Sequence, residues 1–400
     1  MAKDAGKVRL QMSERHAIIK FMERQPYAAA RIVTPKVQAH FARNHAELAQ
    51  GSEVLAALPD MDTIESLIDS TFWASLRREE GFVPRISLAF LAPEETVHPL
   101  RFERPLSLDP GLLARVAPAV ERPGIHLGVW REDDQKLAVW GIARDLPRLC
   151  FVIEVAAPGL LVIKHHSGVK SGKFINVVVL EGDQIKVIDE HASSLPDCPS
   201  LLRSLLGLES AGSWTQSVNV LVQLAVSMRA HGHGGALLVV PSGSESWRES
   251  ILPRMRYAIS PPFSELAELA RGTSAGLDSQ ILQEELSRAV DAVAGLTAVD
   301  GAVVMTDQYE VLGFGVKIVP RKGRSRVDRV TITEPIEGST AALVDPEELG
   351  GTRHLSAAQF VQDQRDSLAL VASQDGHFTV FEWSHCEATI HAHRIEVLLL

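Results

Sequence analysis

Cysteine is scarce in this chain of 400 residues. The three cysteines, Cys150, Cys198 and Cys386, are widely spaced and form no Cys-x-x-Cys pair, which excludes a disulfide framework or a zinc knuckle and leaves them as ordinary thiols. No apolar run approaches the roughly 20 residues that a membrane-spanning helix needs, so no membrane span is expected. Behind the charged start at Lys3, Asp4 and Lys7 there is no apolar stretch. No signal peptide is therefore expected, and the cytoplasm is the expected compartment. Positive charge is not in excess either: 40 Lys and Arg stand against 50 Asp and Glu, a net charge of −10. Nonspecific nucleic-acid binding depends on a basic surface that neutralises phosphates, so nucleic acid is not an expected partner. Internal repeats and receiver, kinase or DNA-binding motifs are absent, and the sequence names no downstream output.

Hydrophobic residues make up 46% of the chain and charged residues 22%, the balance of a folded protein, and the length fits two or three domains. Helices are expected over residues 13–23, over 34–50 with Thr34 as cap and Pro35 at the first helical position, and over 62–78. In the last of these Ile64, Leu67, Ile68, Phe72 and Leu76 make one apolar face. After Pro84 short β-rich runs separated by turn residues predict an antiparallel sheet, with strands over 86–91, 125–130, 137–142, 149–155, 160–164, 174–180 and 185–188. The hairpin loop 131–136 leaves Trp130 and Trp140 on neighbouring strands as a packed aromatic pair. Gly168 and Gly172 have three residues between them and Lys173 is followed by Phe174, so this stretch departs from a phosphate loop and reads as a hairpin tip. His165 and His166 point to opposite faces of one strand and cannot share a metal. Residues 194–199 and 207–212 read as linkers.

Beyond residue 214 helix and strand alternate. A helix over 214–229 leads through His231-Gly232-His233-Gly234-Gly235 into an apolar strand over 236–240; without a third ligand nearby the two histidines read as a tight turn. A helix over 279–296 feeds a strand over 299–305 with Asp300 at its entry, and 311–319 pairs back against it. Five of the nine residues from Arg321 to Arg329 are basic, a solvated loop or one lying over a polyanionic ligand. Gly350 and Gly351 then precede Thr352, read as a helix cap, with Arg353 and His354 in the first turn. Such a helix start draws anions through unpaired N–H groups and the helix dipole, and Arg353 adds a fork of donors suited to phosphate oxygens.

Four pieces stand in one order: Gly234-Gly235-Ala236-Leu237-Leu238-Val239-Val240, Asp300-Gly301-Ala302-Val303-Val304, Gly351-Thr352-Arg353-His354 with Ala357-Ala358, and Ser373. Together they resemble the diadenylate cyclase domain family, over roughly residues 214–383. The resemblance implies an adenine-nucleotide ligand, ATP above all, with a divalent metal, Mg or Mn. In active members two such domains face each other to make cyclic di-AMP, which implies a homo-oligomer. It also implies Asp300 at the ribose hydroxyl and the metal, and Gly301 and Ala302 against the base. Thr352, Arg353, His354 and Ser373 would hold phosphates, with Asp300, Arg353 and His354 as the catalytic set. Leu355 stands where the family has a second arginine, and Gln374 and Asp375 replace two glutamates. The whole chain looks like the bacterial sensor proteins that carry a divergent cyclase-like domain. Two functions follow: a nucleotide-binding sensor weak or inactive in catalysis, or an active diadenylate cyclase. The expected fold is α+β, with a helical segment over 1–81, an antiparallel β-rich domain over 82–210 and a mixed α/β cyclase-like domain over 211–400.

Overall fold

The structure, a computed structural model, describes residues 25–49, 54–132, 135–168, 174–189, 216–253, 255, 257–271 and 279–400. The helix expected over 13–23, residues 169–173 of the hairpin tip, Cys198 and both linkers lie outside the described residues. The fold is α+β, with seven α-helices and two large mixed sheets among the described residues. The chain divides into two compact units, Met1–Val187 and Ile188–Leu400.

In the first unit, helices α1 (Ala28–Leu48) and α2 (Met61–Ser75) precede strands β1 (Ser87–Phe90) and β2 (Leu100–Ser107), the short helix α3 (Pro110–Val116), and strands β3 (His126–Arg131), β4 (Leu137–Ala143), β5 (Phe151–Ala157), β6 (Leu160–His166), β7 (Phe174–Glu181) and β8 (Gln184–Val187). The sheet order is β2-β4-β3-β1-β5-β6-β7-β8. It is mixed rather than wholly antiparallel, because β1 runs parallel to β3 after the crossover through β2 and α3. Phe41 of α1 and Ile64, Leu67 and Ile68 of α2 share one buried core with Leu88, Leu127, Phe151, Ile153, Leu161 and Ile163 of the sheet. The helical segment and the β-rich run thus fold as one body across residue 81, since neither could bury its apolar face alone.

Helix α1 starts six residues before the expected cap. Thr34 lies inside it, its hydroxyl donating to the Ala30 carbonyl at 2.8 Å, and Pro35 is also interior. Ala29, Ala30, Val33, Val37 and Phe41 are buried, and that packing outweighs the backbone hydrogen bond that proline forfeits. Asp60 caps α2 by accepting from the Thr63 N–H at 2.9 Å. The two tryptophans meet one apolar cluster through different contacts. Trp130 tilts against Phe90 with centroids 4.8 Å apart, whereas Trp140 donates from Nε1 to the Leu91 carbonyl at 2.9 Å. Its indole fills the space over Gly128, where a β-carbon would stand 2.2 Å from the ring.

The second unit contains α4 (Gln216–Ala230), β9 (Gly235–Val240), β10 (Tyr257–Phe263), α5 (Glu265–Ala270), α6 (Ser279–Leu296), β11 (Ala302–Thr306), β12 (Val311–Val316), β13 (Val330–Thr333), β14 (Ala342–Val344), α7 (Thr352–Asp363), β15 (Leu368–Ala372), β16 (Phe378–Ser384) and β17 (Thr389–Arg394). The sheet order is β10-β12-β11-β9-β15-β16-β17-β13-β14. Strand β9 is buried along its whole length, as suits a central strand covered on both faces. Its Ala236, Leu238 and Val240 share a core with Ala357, Phe360 and Val361 of α7. Strand β11 begins at Ala302, later than the pattern implies, because Gly301 at φ +118° breaks the extended run and leaves Val299 and Asp300 in the entry turn.

Candidate functional site

Three strands bring the second unit's motifs to one edge of its sheet. Strand β11 runs parallel to β9 with Ala302 opposite Ala236, and β15 returns antiparallel on the other side with Ala372 opposite Gly235. The entries of β9 and β11 and the exit of β15 therefore lie side by side. Helix α7 starts at the same edge: Arg353 Nη1 stands 2.9 Å from where a β-carbon on Gly234 would be, next to the Ala372 carbonyl and Gln374. The helix ends at the opposite side, where Gln364 Nε2 donates to the Ser246 carbonyl at 3.0 Å and to Ser250 Oγ at 2.8 Å. One helix out and one strand back thus carry the chain from Arg353 to Ser373 at the starting edge.

Asp300 lies in the turn that enters β11, its carboxylate accepting from Lys317 Nζ at 2.6 Å. Gly301 meets the next strand so closely that a β-carbon would be 2.5 Å from the Gly315 backbone, and Ala302 is buried behind it. Thr352 does not cap α7. The cap position belongs to Gly351, which offers no side-chain hydrogen bond, because Gly350 at φ +156° turns the chain one residue earlier than the pattern implies. The first turn of α7 is consequently open to an anion. Arg353 has no carboxylate partner among the described residues.

His354 is buried at 3% exposure, and its Nε2 has no hydrogen-bond partner among the described residues. Its imidazole is held below the ordinary histidine value first by burial and then by the positive field of Arg394, with His377 and Arg353 acting in the same sense and Asp375 opposing. The ring is therefore neutral, able to donate one hydrogen bond without carrying charge. Ser373 donates its hydroxyl to Asp375, and Gln374 Nε2 donates to the His233 carbonyl at 3.3 Å. Leu355 packs against the hydrophobic core of this unit, so this position faces apolar side chains.

His231 and His233 form a stacked turn with centroids 5.8 Å apart. Thr297 Oγ1 donates to the Ala294 carbonyl at 2.6 Å, so it accepts from His231 Nε2 at 3.1 Å. His231 Nδ1 then accepts from the His233 N–H at 3.1 Å, which fixes one neutral tautomer. The basic loop from Arg321 to Arg329 lies along the far half of α7. Arg321 pairs with Glu249 at 2.6 Å, its N–H donates to Asp363 at 2.8 Å, and the Val327 N–H donates to Gln359 at 2.9 Å. At 1.5 Å per residue those anchor points are about 9 and 15 Å from Arg353 along the helix axis.

Three charged or polar groups at this edge escape the sequence motifs. Arg394 of β17 pairs with Thr379 of β16 and His377 immediately precedes β16; both act on His354 yet lie outside any Gly-rich signature. Lys317 follows β12, and the only sequence signal for it is the hairpin that returns from β11. Among the described residues no three His, Cys, Asp or Glu side chains gather as a metal site. With Asp300 paired to Lys317, a divalent ion fits here only if phosphate oxygens supply most of its ligands.

Residues 53–144 match the family model of the Probable sensor domain DACNV. The match lies wholly within the first unit and supports a sensor role for the chain. No curated protein matches. A solved structure, the hypothetical membrane spanning protein from Bacillus cereus, is similar at 16% identity over 48% of this chain and 70% of that chain. Its TM-score is 0.27, too low for any argument about fold. No described helix of the present chain is long and apolar enough to cross a membrane.

Proposed function

We propose that the chain is a sensor whose second unit binds an adenine nucleotide at the edge shared by Gly234, Gly301, Arg353 and Ser373, and makes little or no cyclic di-AMP. The observation that carries this reading is the guanidinium of Arg353 laid against Gly234 beside an uncapped helix start. The base lies beside the entry of β11 at Gly301 and Ala302, and Arg353 with the first-turn N–H groups of α7 meets the phosphates. His354 supplies a neutral donor behind them. A divalent ion bound with the nucleotide would neutralise phosphate charge, held by Asp300 once Lys317 moves aside.

Weak turnover follows from two features. Leu355 contributes no cation, and the Asp300 carboxylate is already paired with Lys317. Joining two triphosphates builds charge on the leaving pyrophosphate, so a missing cation is felt more in the transition state than in binding. Incubation of the chain with ATP and manganese, followed by chromatography, tests this half of the reading. Robust cyclic di-AMP synthesis abolished by Asp300→Asn would replace it with an active cyclase, working as two facing copies.

A further inference from the structure

The first unit holds a second polar cluster, unrelated to the nucleotide edge. Leu127, Leu88, Ile153 and Ile163 face the helices, so their chain neighbours His126, Ser87, Glu154 and Lys164 project from the opposite face of the sheet. These residues lie on adjacent strands in the order β3-β1-β5-β6, and Phe174 of β7 continues the row opposite His166. Ser87, His126, Lys164 and His166 are each more than nine-tenths buried, at 3%, 2%, 8% and 7% exposure.

One ring organises them. The imidazoles of His126 and His166 lie 5.6 and 5.3 Å from the Phe174 ring, and the Lys164 ammonium is 4.8 Å above it. Lys164 is paired with Glu154, and Ser87 Oγ is 2.7 Å from His126 Nδ1. Two atoms remain without hydrogen-bond partners among the described residues, His126 Nε2 and His166 Nδ1. Buried polar atoms are normally paired, and an unpaired one in a folded protein calls for a reason. A metal is a poor answer: the ammonium would repel it, Glu154 is tied to Lys164, and no third ligand gathers among the described residues.

The geometry points to a small-oxyanion site formed by His126, Lys164 and His166 round Phe174, in which a carboxylate or phosphate group accepts from the His126 Nε2–H and from the ammonium, with His166 Nδ1 as a further donor when that ring is protonated. In its neutral form His166 spends its one proton on the Leu146 and Pro147 carbonyls. Ser87 sets the tautomer, its hydroxyl donating to His126 Nδ1 so that the proton sits on Nε2. Phe174, half-buried where His126, Lys164 and His166 are buried, marks the side of entry. Burial pulls Lys164 down to about 8 and His126 to about 3; a bound anion reverses both shifts. Ser87 and His126 fall within the residues that match the sensor family.

The test uses the full chain labelled with 15N-histidine and titrated separately with inorganic phosphate and with acetate. The expected result is saturable movement of the His126 and His166 ring nitrogens by one of them. Phosphate acting alone identifies a phosphoryl ligand, and acetate acting alone a carboxylate. The paired variant Lys164→Met with Glu154→Gln, which leaves no carboxylate without its partner, should weaken that anion about tenfold, as loss of a charge-assisted donor does. His166→Gln should weaken it as well and serves if the double variant does not fold. Ring nitrogens unmoved by both anions, or folded variants that bind as the wild type does, would overturn the site.

Discussion

Arg353 occupies the space that a side chain on Gly234 would need, with Nη1 2.9 Å from the position of that missing β-carbon. A glycine before one strand and an arginine on a distant helix are thereby brought into contact. Gly234 also has φ +68°, so Gly234→Ala should cost about 1–2 kcal/mol from the left-handed backbone alone and should displace the guanidinium. Thermal unfolding and ATP titration of the variant check both effects. An alanine variant with unchanged stability and affinity would separate the two residues functionally.

Gly301 allows less tolerance still. At φ +118°, with the Gly315 backbone 2.5 Å from a would-be β-carbon, Gly301→Ala must push β11 and β12 apart at the entry beside Asp300. A loss of about 1–3 kcal/mol in denaturant unfolding is expected, together with weaker binding of adenosine itself.

The sequence makes strands with an unbroken apolar run legible and conceals several others, the mostly buried β16 and β17 among them. Strands β9 and β11 read clearly because their apolar runs are buried from end to end. By contrast, β2 and β10 escape notice. Both are edge strands, largely solvent-facing, and each carries proline, at Pro105 and at Pro261 and Pro262, which is tolerated only where no ladder hydrogen bond is lost. The site shows the same division. Its glycines and Arg353 stand out as a pattern, while Arg394 and Lys317 arrive by sheet pairing, which local sequence does not encode. Helix α1 is misplaced for a related reason: tertiary burial of its Ala and Val face overrides the Thr34-Pro35 start signal.

Burial also predicts how the first unit responds to acid. His126 is held at about 3 against an ordinary value of 6.5, so between those values the unfolded chain binds a proton that the folded chain refuses. Stability should therefore fall as the pH drops through this window, by up to about 1.4 kcal/mol per unit, and should show no His126 contribution above it. His126→Gln should flatten the slope of denaturant midpoint against pH relative to the wild type. Parallel slopes in the two proteins would contradict the burial argument.

Leu355 offers a stability test of a different kind. Because it packs against the core of the second unit, Leu355→Ala should cost about 2 kcal/mol or more, toward the low end for a leucine that is not fully buried. ATP affinity should hardly change. A marked loss of affinity without loss of stability would mean that this position touches the ligand after all.

Isothermal titration of the full chain with ATP and with adenosine, in the wild type and in Arg353→Ala, tests the central claim most directly. The account predicts saturable ATP binding by the wild type, weakened about tenfold or more in Arg353→Ala by loss of a charged phosphate donor, with adenosine binding little altered. Absence of ATP binding by the folded wild-type chain, or equal ATP affinity in both proteins, would contradict it.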